Sequence, residues 1–236
     1  MTPRSVIVGF ACVLIAVAGF ARAGTITTSS TPPTTATIAQ PDFSGPAFDG
    51  AKDFTDNAGP PGQTFFFAPP GDPPLPGPFF ITAVTVKGFA NTPASFGGGV
   101  NTGTWTLTLS RVDAGNVLTR IAQETANPAA VTDGSAYVTF ALDTPVPLAL
   151  GVTQSFDLYS SNGYFGLAKS STDVFPNGAA MQHGSVSRTA ADGATITNVQ
   201  AVDRTFYIEL VTPEPSAFVT FGIVGLTALT RRRRRN

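Results

Sequence analysis

Residues 104–112 read Thr-Trp-Thr-Leu-Thr-Leu-Ser-Arg-Val. Trp105, Leu107 and Leu109 fall on one side of this run, and Thr104, Thr106 and Thr108 on the other. Side chains alternate across a strand with a period of two, whereas a helix would need apolar residues three or four apart. The stretch is therefore read as a half-buried antiparallel strand. Trp105, in phase with the two leucines, is read as core.

The same pattern recurs on both sides. Residues 117–124 form the next strand after the turn Asp113-Ala114-Gly115-Asn116. Upstream, 63–68 (QTFFFA) and 79–89 (FFITAVTVKGF) are read as strands. Between them, 69–78 (PPGDPPLPGP) has few donors for a ladder and is read as a rigid loop. Downstream, 137–142 (YVTFAL) and 153–160 (TQSFDLYS) alternate, with Pro145, Pro147 and a short 148–150 strand punctuating between them. The Asn162-Gly163 turn leads into 164–169. Residues 173–193 are turn-rich and weakly patterned, and 204–211 (RTFYIELV) is the last strand. Residues 24–40, rich in Thr, Ser and Pro, are read as a flexible lead-in or an edge strand, not as core. This makes eight or nine short strands and no amphipathic helix between the termini. The expected fold is all-β: one antiparallel β-sandwich over 41–211, of jelly-roll or Greek-key type.

The two ends differ from this body. Residues 1–23 read as a secretory leader: Arg4, an uncharged apolar run over 5–20, then the small-x-small site Ala21-Arg22-Ala23, with cleavage before Gly24. A retained membrane helix is the alternative, disfavoured by the short run and the nearby site. The only cysteine, Cys12, lies inside the leader, so the body can have neither a disulfide framework nor a thiol-based site. At the other end, 212–236 is composed of three unlike parts. Pro213, Glu214 and Pro215 form a stiff, extended tripeptide. Residues 217–230 are uncharged and can form a short transmembrane helix; fourteen residues rise about 21 Å, short of a hydrocarbon core of about 30 Å. Arg231, Arg232, Arg233, Arg234 and Arg235 then act as a stop on the cytoplasmic side. Loss of both ends would leave seven basic residues against fourteen acidic ones, a net charge of −7. So acidic a domain, with no basic stripe, argues against nucleic-acid binding.

Pro213-Glu214-Pro215-Ser216, the apolar run containing Gly222 and Gly225, and the terminal arginines together resemble the PEP-CTERM sorting signal. Thr212 stands where that family often has valine. The resemblance covers about a tenth of the chain, and an ordinary tail anchor is the alternative. It implies export through a signal peptidase, transient anchoring in the inner membrane, processing by an exosortase-type transpeptidase, and a final place at the cell surface or outside. Such proteins are associated with surface polysaccharide, floc or biofilm. The order of strands 104–112, 137–142, 147–151 and 153–159 also resembles the jelly-roll ectodomains of that family, which are related in shape to carbohydrate-binding modules.

Candidate sites in the body are sparse. His183, the single histidine, is read in a loop with no convergent partners for acid–base or metal chemistry. No nucleophile elbow and no His-Glu-x-x-His motif occur. Asp53, Asp56 and Asn57 lie in an Asp-rich loop stretch that offers oxygen ligands for structural calcium, though the spacing fits no calcium-loop signature and Asp is also an ordinary turn residue. No other cofactor is expected. Tyr159, Tyr164 and Tyr207 are out of phase with core neighbours or beside a turn, and are the candidates for a sugar-stacking surface. The expected role is that of an exported structural or adhesive protein without catalysis of its own. The rivals are a carbohydrate-binding module, which needs a line of exposed aromatics, and a jelly-roll glycosidase, which needs two facing carboxylates roughly 5–10 Å apart.

Overall fold

The run at 104–112 is a strand, β5 (Trp105–Asp113), in a chain whose computed structural model describes residues 24–44, 60–68, 78–89, 103–127, 135–161, 166–176, 178–183, 192–199 and 201–212. The leader and the tail lie outside the described residues. Around β5 are β1 (Thr25–Ser29), β2 (Ile38–Gln40), β3 (Pro61–Phe66), β4 (Phe79–Lys87), β6 (Val117–Ala126), β7 (Tyr137–Leu148), β8 (Thr153–Ser160), β9 (Ala180–His183), β10 (Ile196–Val199) and β11 (Phe206–Val211). Among the described residues there is no α-helix, and none that is long and apolar enough to cross a membrane.

The strands make two antiparallel sheets. One has the order β1-β7-β4-β11-β2, the other β10-β9-β3-β8-β5-β6. Their facing sides share one core. The six-stranded sheet contributes Phe65, Trp105, Leu107, Leu109, Phe156 and Leu158; the five-stranded sheet contributes Ile81, Val84, Val86, Phe140, Phe206 and Ile208. Two sheets, each apolar on one face, hide those faces against one another, as in a sandwich. Each large side chain so buried contributes about 1.5–3 kcal/mol.

The six-stranded sheet also curls. Its two edges meet where Val117 bridges Thr195, Leu118 N donates to Ala194 O (2.8 Å) and Gly193 N donates to Leu118 O (2.8 Å). The face turned away from the main core thus gains an interior of its own, where Leu118, Met181 and Ile196 cluster with Val112. Along β5 the expectation of a half-buried strand is corrected here: Thr106, Thr108 and Ser110 are buried as well as the core-facing residues between them.

Other expectations shift in the same way. Pro145 and Pro147 do not end a strand; β7 runs through both. β1 pairs with β7 only as far as Ala141, while β4 continues alongside to Leu148. The prolines therefore stand on an open edge, where a missing N–H costs nothing to the ladder. The stretch at 24–40 supplies both outer strands of the five-stranded sheet, and Ile38, expected outside the core, is buried in it. The weakly patterned 173–193 region contains β9, and β10 had no periodic signal. Residues 166–170 make only isolated bridges, Leu167 to Gly88 and Lys169 to Arg204.

The β5–β6 hairpin turns through Gly115 (φ 75°) and Asn116 (φ 59°), both left-handed. A Cβ at Gly115 would touch nothing, so a substitution there meets only the backbone cost. Gly115→Ala is expected to lower stability by about 1 kcal/mol, read as a fall in the urea midpoint at unchanged slope. No fall in the midpoint would mean that the turn changes shape to suit alanine.

Candidate functional site

The most polar place in the interior lies where β11 begins. Asp203 and Arg204 are both fully buried. Arg204 Nε donates to Gly62 O (2.9 Å), and Arg204 N donates to Gln63 Oε1 (2.9 Å). Gln63 Nε2 in turn donates to Asp203 Oδ1 (2.8 Å). The other carboxylate oxygen accepts from Val174 N (2.8 Å) and Phe175 N (2.7 Å). From β2, Gln40 Nε2 reaches Arg204 O (3.2 Å), and its Oε1 accepts from Asp42 N (2.5 Å). Ser170 N donates to Asp203 O (2.8 Å), and Asp203 N donates to Ser170 Oγ (3.1 Å). β2, β3, β11 and the 170–175 loop are thus tied at one point. Burial pushes the Asp203 carboxyl above its usual range, with the charge of Asp173 adding to it, against the hydrogen bonds that favour the anion. With three donors from the protein already on its carboxylate, Asp203 serves the fold.

The network was legible in the strand phases. Gln40 is in phase with Ile38, Gln63 with Phe65, and Arg204 with Phe206 and Ile208. Each is a polar residue at a core-facing position, which requires a partner. The sequence reading passed over all three.

The tyrosine candidates divide. Tyr207 is buried, which corrects its placement in a sugar-stacking surface. Its ring meets Tyr137 edge-on, with centroids 5.9 Å apart. Burial, then the neighbouring Tyr137, pushes its phenol up to about 12. Beside this pair, Lys87 Nζ lies 4.2 Å from the Tyr137 ring centre and 5.0 Å from that of Phe43. It also donates to Ser135 O (3.0 Å). The ammonium is thus held between the Tyr137 and Phe43 rings. Tyr159 is half-buried on β8, and Tyr164 lies outside the described residues. Phe43, 53% exposed, is the one aromatic ring among the described residues that is mostly open to solvent.

Glu124 is buried, and accepts from Asp143 N (2.9 Å) and Thr144 N (3.4 Å). Glu209 is half-buried on β11. Asp113 pairs with Arg111 (2.6 Å) and accepts from Thr119 Oγ1 (2.5 Å) at the β5–β6 hairpin, and the Arg111 hydrogen bond holds its carboxyl below the usual range. Asp53, Asp56 and Asn57, the candidate calcium ligands, lie outside the described residues. Among the described residues no three acidic, histidine or cysteine side chains group as metal ligands would. His183 closes β9 opposite Ile196, so its expected place in a loop is corrected. Its position had no alternating neighbours to show a strand.

Ser110 and Ser155 stand opposite one another on β5 and β8, fully buried on the concave face. Neither hydroxyl has a hydrogen-bond partner. An unanswered buried group costs about 1–3 kcal/mol. In comparisons with known proteins, no family model, curated protein or solved structure matches the chain.

Two titrations test the interior. A raised carboxyl pKa means that the folded protein holds the Asp203 proton more tightly than the unfolded chain does. That part of stability is complete in acid, below the unfolded value, and drains away as pH rises through the folded value. The stability difference between wild type and Asp203→Asn is therefore expected to narrow from pH 3 to pH 7 in denaturant melts; a difference that widens would reverse the sign assigned to Asp203. The phenol of Tyr207 obeys the same rule at alkaline pH. One tyrosine should resist ionisation to about 12 in an ultraviolet titration, and Tyr207→Phe should remove that late phase. Titration of every tyrosine near 10 would count against the buried pair.

Proposed function

We propose that this chain is an exported protein of the cell surface or extracellular matrix, whose C-terminal residues 212–236 are a PEP-CTERM-type sorting segment. One observation carries the reading: three physically unlike features stand in fixed order at the C-terminal end. These are the stiff Pro213-Glu214-Pro215 tripeptide, an uncharged run too short for a durable anchor, and five arginines. The leader-like residues 1–23 at the other end support export.

Signal peptidase cuts before Gly24. The inner membrane then holds the chain by residues 217–230 until an exosortase-type enzyme processes the tail. The body is a jelly roll. Without β1, β9 and β10, the sheets read β2-β11-β4-β7 and β3-β8-β5-β6. The chain changes sheet at every connection except the β5–β6 hairpin, the double Greek-key path of that architecture. Its role is structural or adhesive, in association with surface polysaccharide. The inward use of Asp203, Arg204, Gln63 and Glu124 by the fold itself supports a scaffold.

Intact mass and C-terminal sequencing of the protein from its native host, with and without the processing enzyme, test this. Loss of everything beyond the Pro-Glu-Pro region only when the enzyme is present is the expected result. An intact arginine-ended tail in both strains would overturn it, leaving a simple anchor.

A further inference from the structure

Glu124 presents an anomaly. It lies on β6 opposite Leu107, on the core-facing side, and is 5% exposed. Two backbone amides are its partners, those of Asp143 and Thr144. Among the described residues no lysine, arginine or histidine forms an ion pair with it. A buried carboxylate without a positive partner is costly, and proteins seldom keep one.

Close to the carboxylate lies the backbone of Gly24, the residue that follows the expected leader cleavage. Gly24 N donates to Thr125 O (3.1 Å), the carbonyl next to Glu124. A Cβ on Gly24 would lie 3.1 Å from Glu124 Oε2 and 2.8 Å from Ala141 O, and would overlap Phe140 Cε1. The nitrogen is two bonds from that Cβ position, so it is within about 5.6 Å of the carboxylate oxygen.

We infer that the α-amino group freed by leader removal is the counter-charge of Glu124, and that this pair pins β1 against β6. The inference rests on the export reading above. Hydrolysis of the Ala23–Gly24 peptide bond consumes one water, leaving a carboxylate on Ala23 and an α-ammonium on Gly24. Before the cut that nitrogen is an uncharged amide, and Glu124 has no cation. After it, the amine is protonated at neutral pH, donates to Thr125 O and faces the carboxylate. Cleavage thus completes the junction between the five-stranded sheet and β6. Position 24 has no room for a side chain: a Cβ would overlap Phe140 and crowd Ala141 O before it reached Glu124.

The test uses the full chain, exported in a Gram-negative host and purified after processing. N-terminal sequencing comes first. Trace acetylation at pH 7, read by mass spectrometry of the N-terminal peptide, then compares the α-amine in the folded protein and in urea. The expected result is a chain that starts at Gly24 and an amine at least about tenfold less reactive when folded, as an ion pair holding the proton requires. Glu124→Gln keeps the side-chain shape and should abolish most of that protection. Gly24→Ala should do the same with Glu124 intact, and keeps the question open to refutation if Glu124→Gln fails to fold. Equal reactivity in folded and unfolded protein overturns the pair, as does protection that survives both substitutions. A chain that starts elsewhere overturns the cleavage site as well, so the two failures are told apart.

Discussion

Everything in this fold depends on how Asp203 and Arg204 are kept in the interior. The two residues sit at the entrance to β11, where the five-stranded sheet meets the turn of chain that carries β3. Ion desolvation is costly; the Asp203 carboxylate is held by Gln63 and the Val174 and Phe175 amides, and Arg204 Nε by Gly62 O, while Gln40 and Ser170 bind the main chain of the two residues. Such a cluster gives an apolar sandwich something that packing alone lacks, namely a unique relative setting of its sheets. Slipping β11 by one residue would break the Arg204–Gln63 and Asp203–Gln63 bonds together and turn Phe206 and Ile208 out of the core. No cysteine lies beyond Cys12, so no disulfide can do this instead.

Strand periodicity made the main core legible. Trp105, Leu107, Leu109, Phe140, Phe156, Phe206 and Ile208 are where their alternation puts them. What periodicity could not show was the second interior. Thr106, Thr108 and Ser110 look like a solvent face because their neighbours on the strand are apolar. They are buried because the sheet bends until β6 meets the approach to β10, a non-local event with no local signature. The same limit hid Tyr207. Its position out of phase with the core puts it on the outer face, but it is buried there, edge-on to Tyr137, whose ring in turn carries Lys87. The Pro145 and Pro147 positions went astray for the opposite reason. A local rule about proline was applied without knowing that β1 stops at its pairing with Ala141 and leaves that edge open.

The polar residues that sequence reasoning missed share one property. They are core-facing by phase, and their chemistry is spent on neighbouring backbone. Gln40, Gln63 and Glu124 each bind main-chain groups, as an edge or junction between sheets requires when ladder partners run out. A search for functional residues by type finds carboxylates and tyrosines; a search by phase would have found these.

Charge bears on what such a body can hold. Three of the basic side chains are engaged within the fold: Arg204 is buried, Lys87 lies between two rings, and Arg111 is paired with Asp113. On the export reading, residues 24–211 carry a net charge of −7. An anionic polymer would be repelled at low ionic strength, and direct ion pairing could not overcome this. If the body adheres to polysaccharide as proposed, its net charge favours neutral sugars or divalent cations shared between carboxylates on both sides. The second route needs no preformed ligand cage and no line of aromatic rings, only carboxylates free to share an ion.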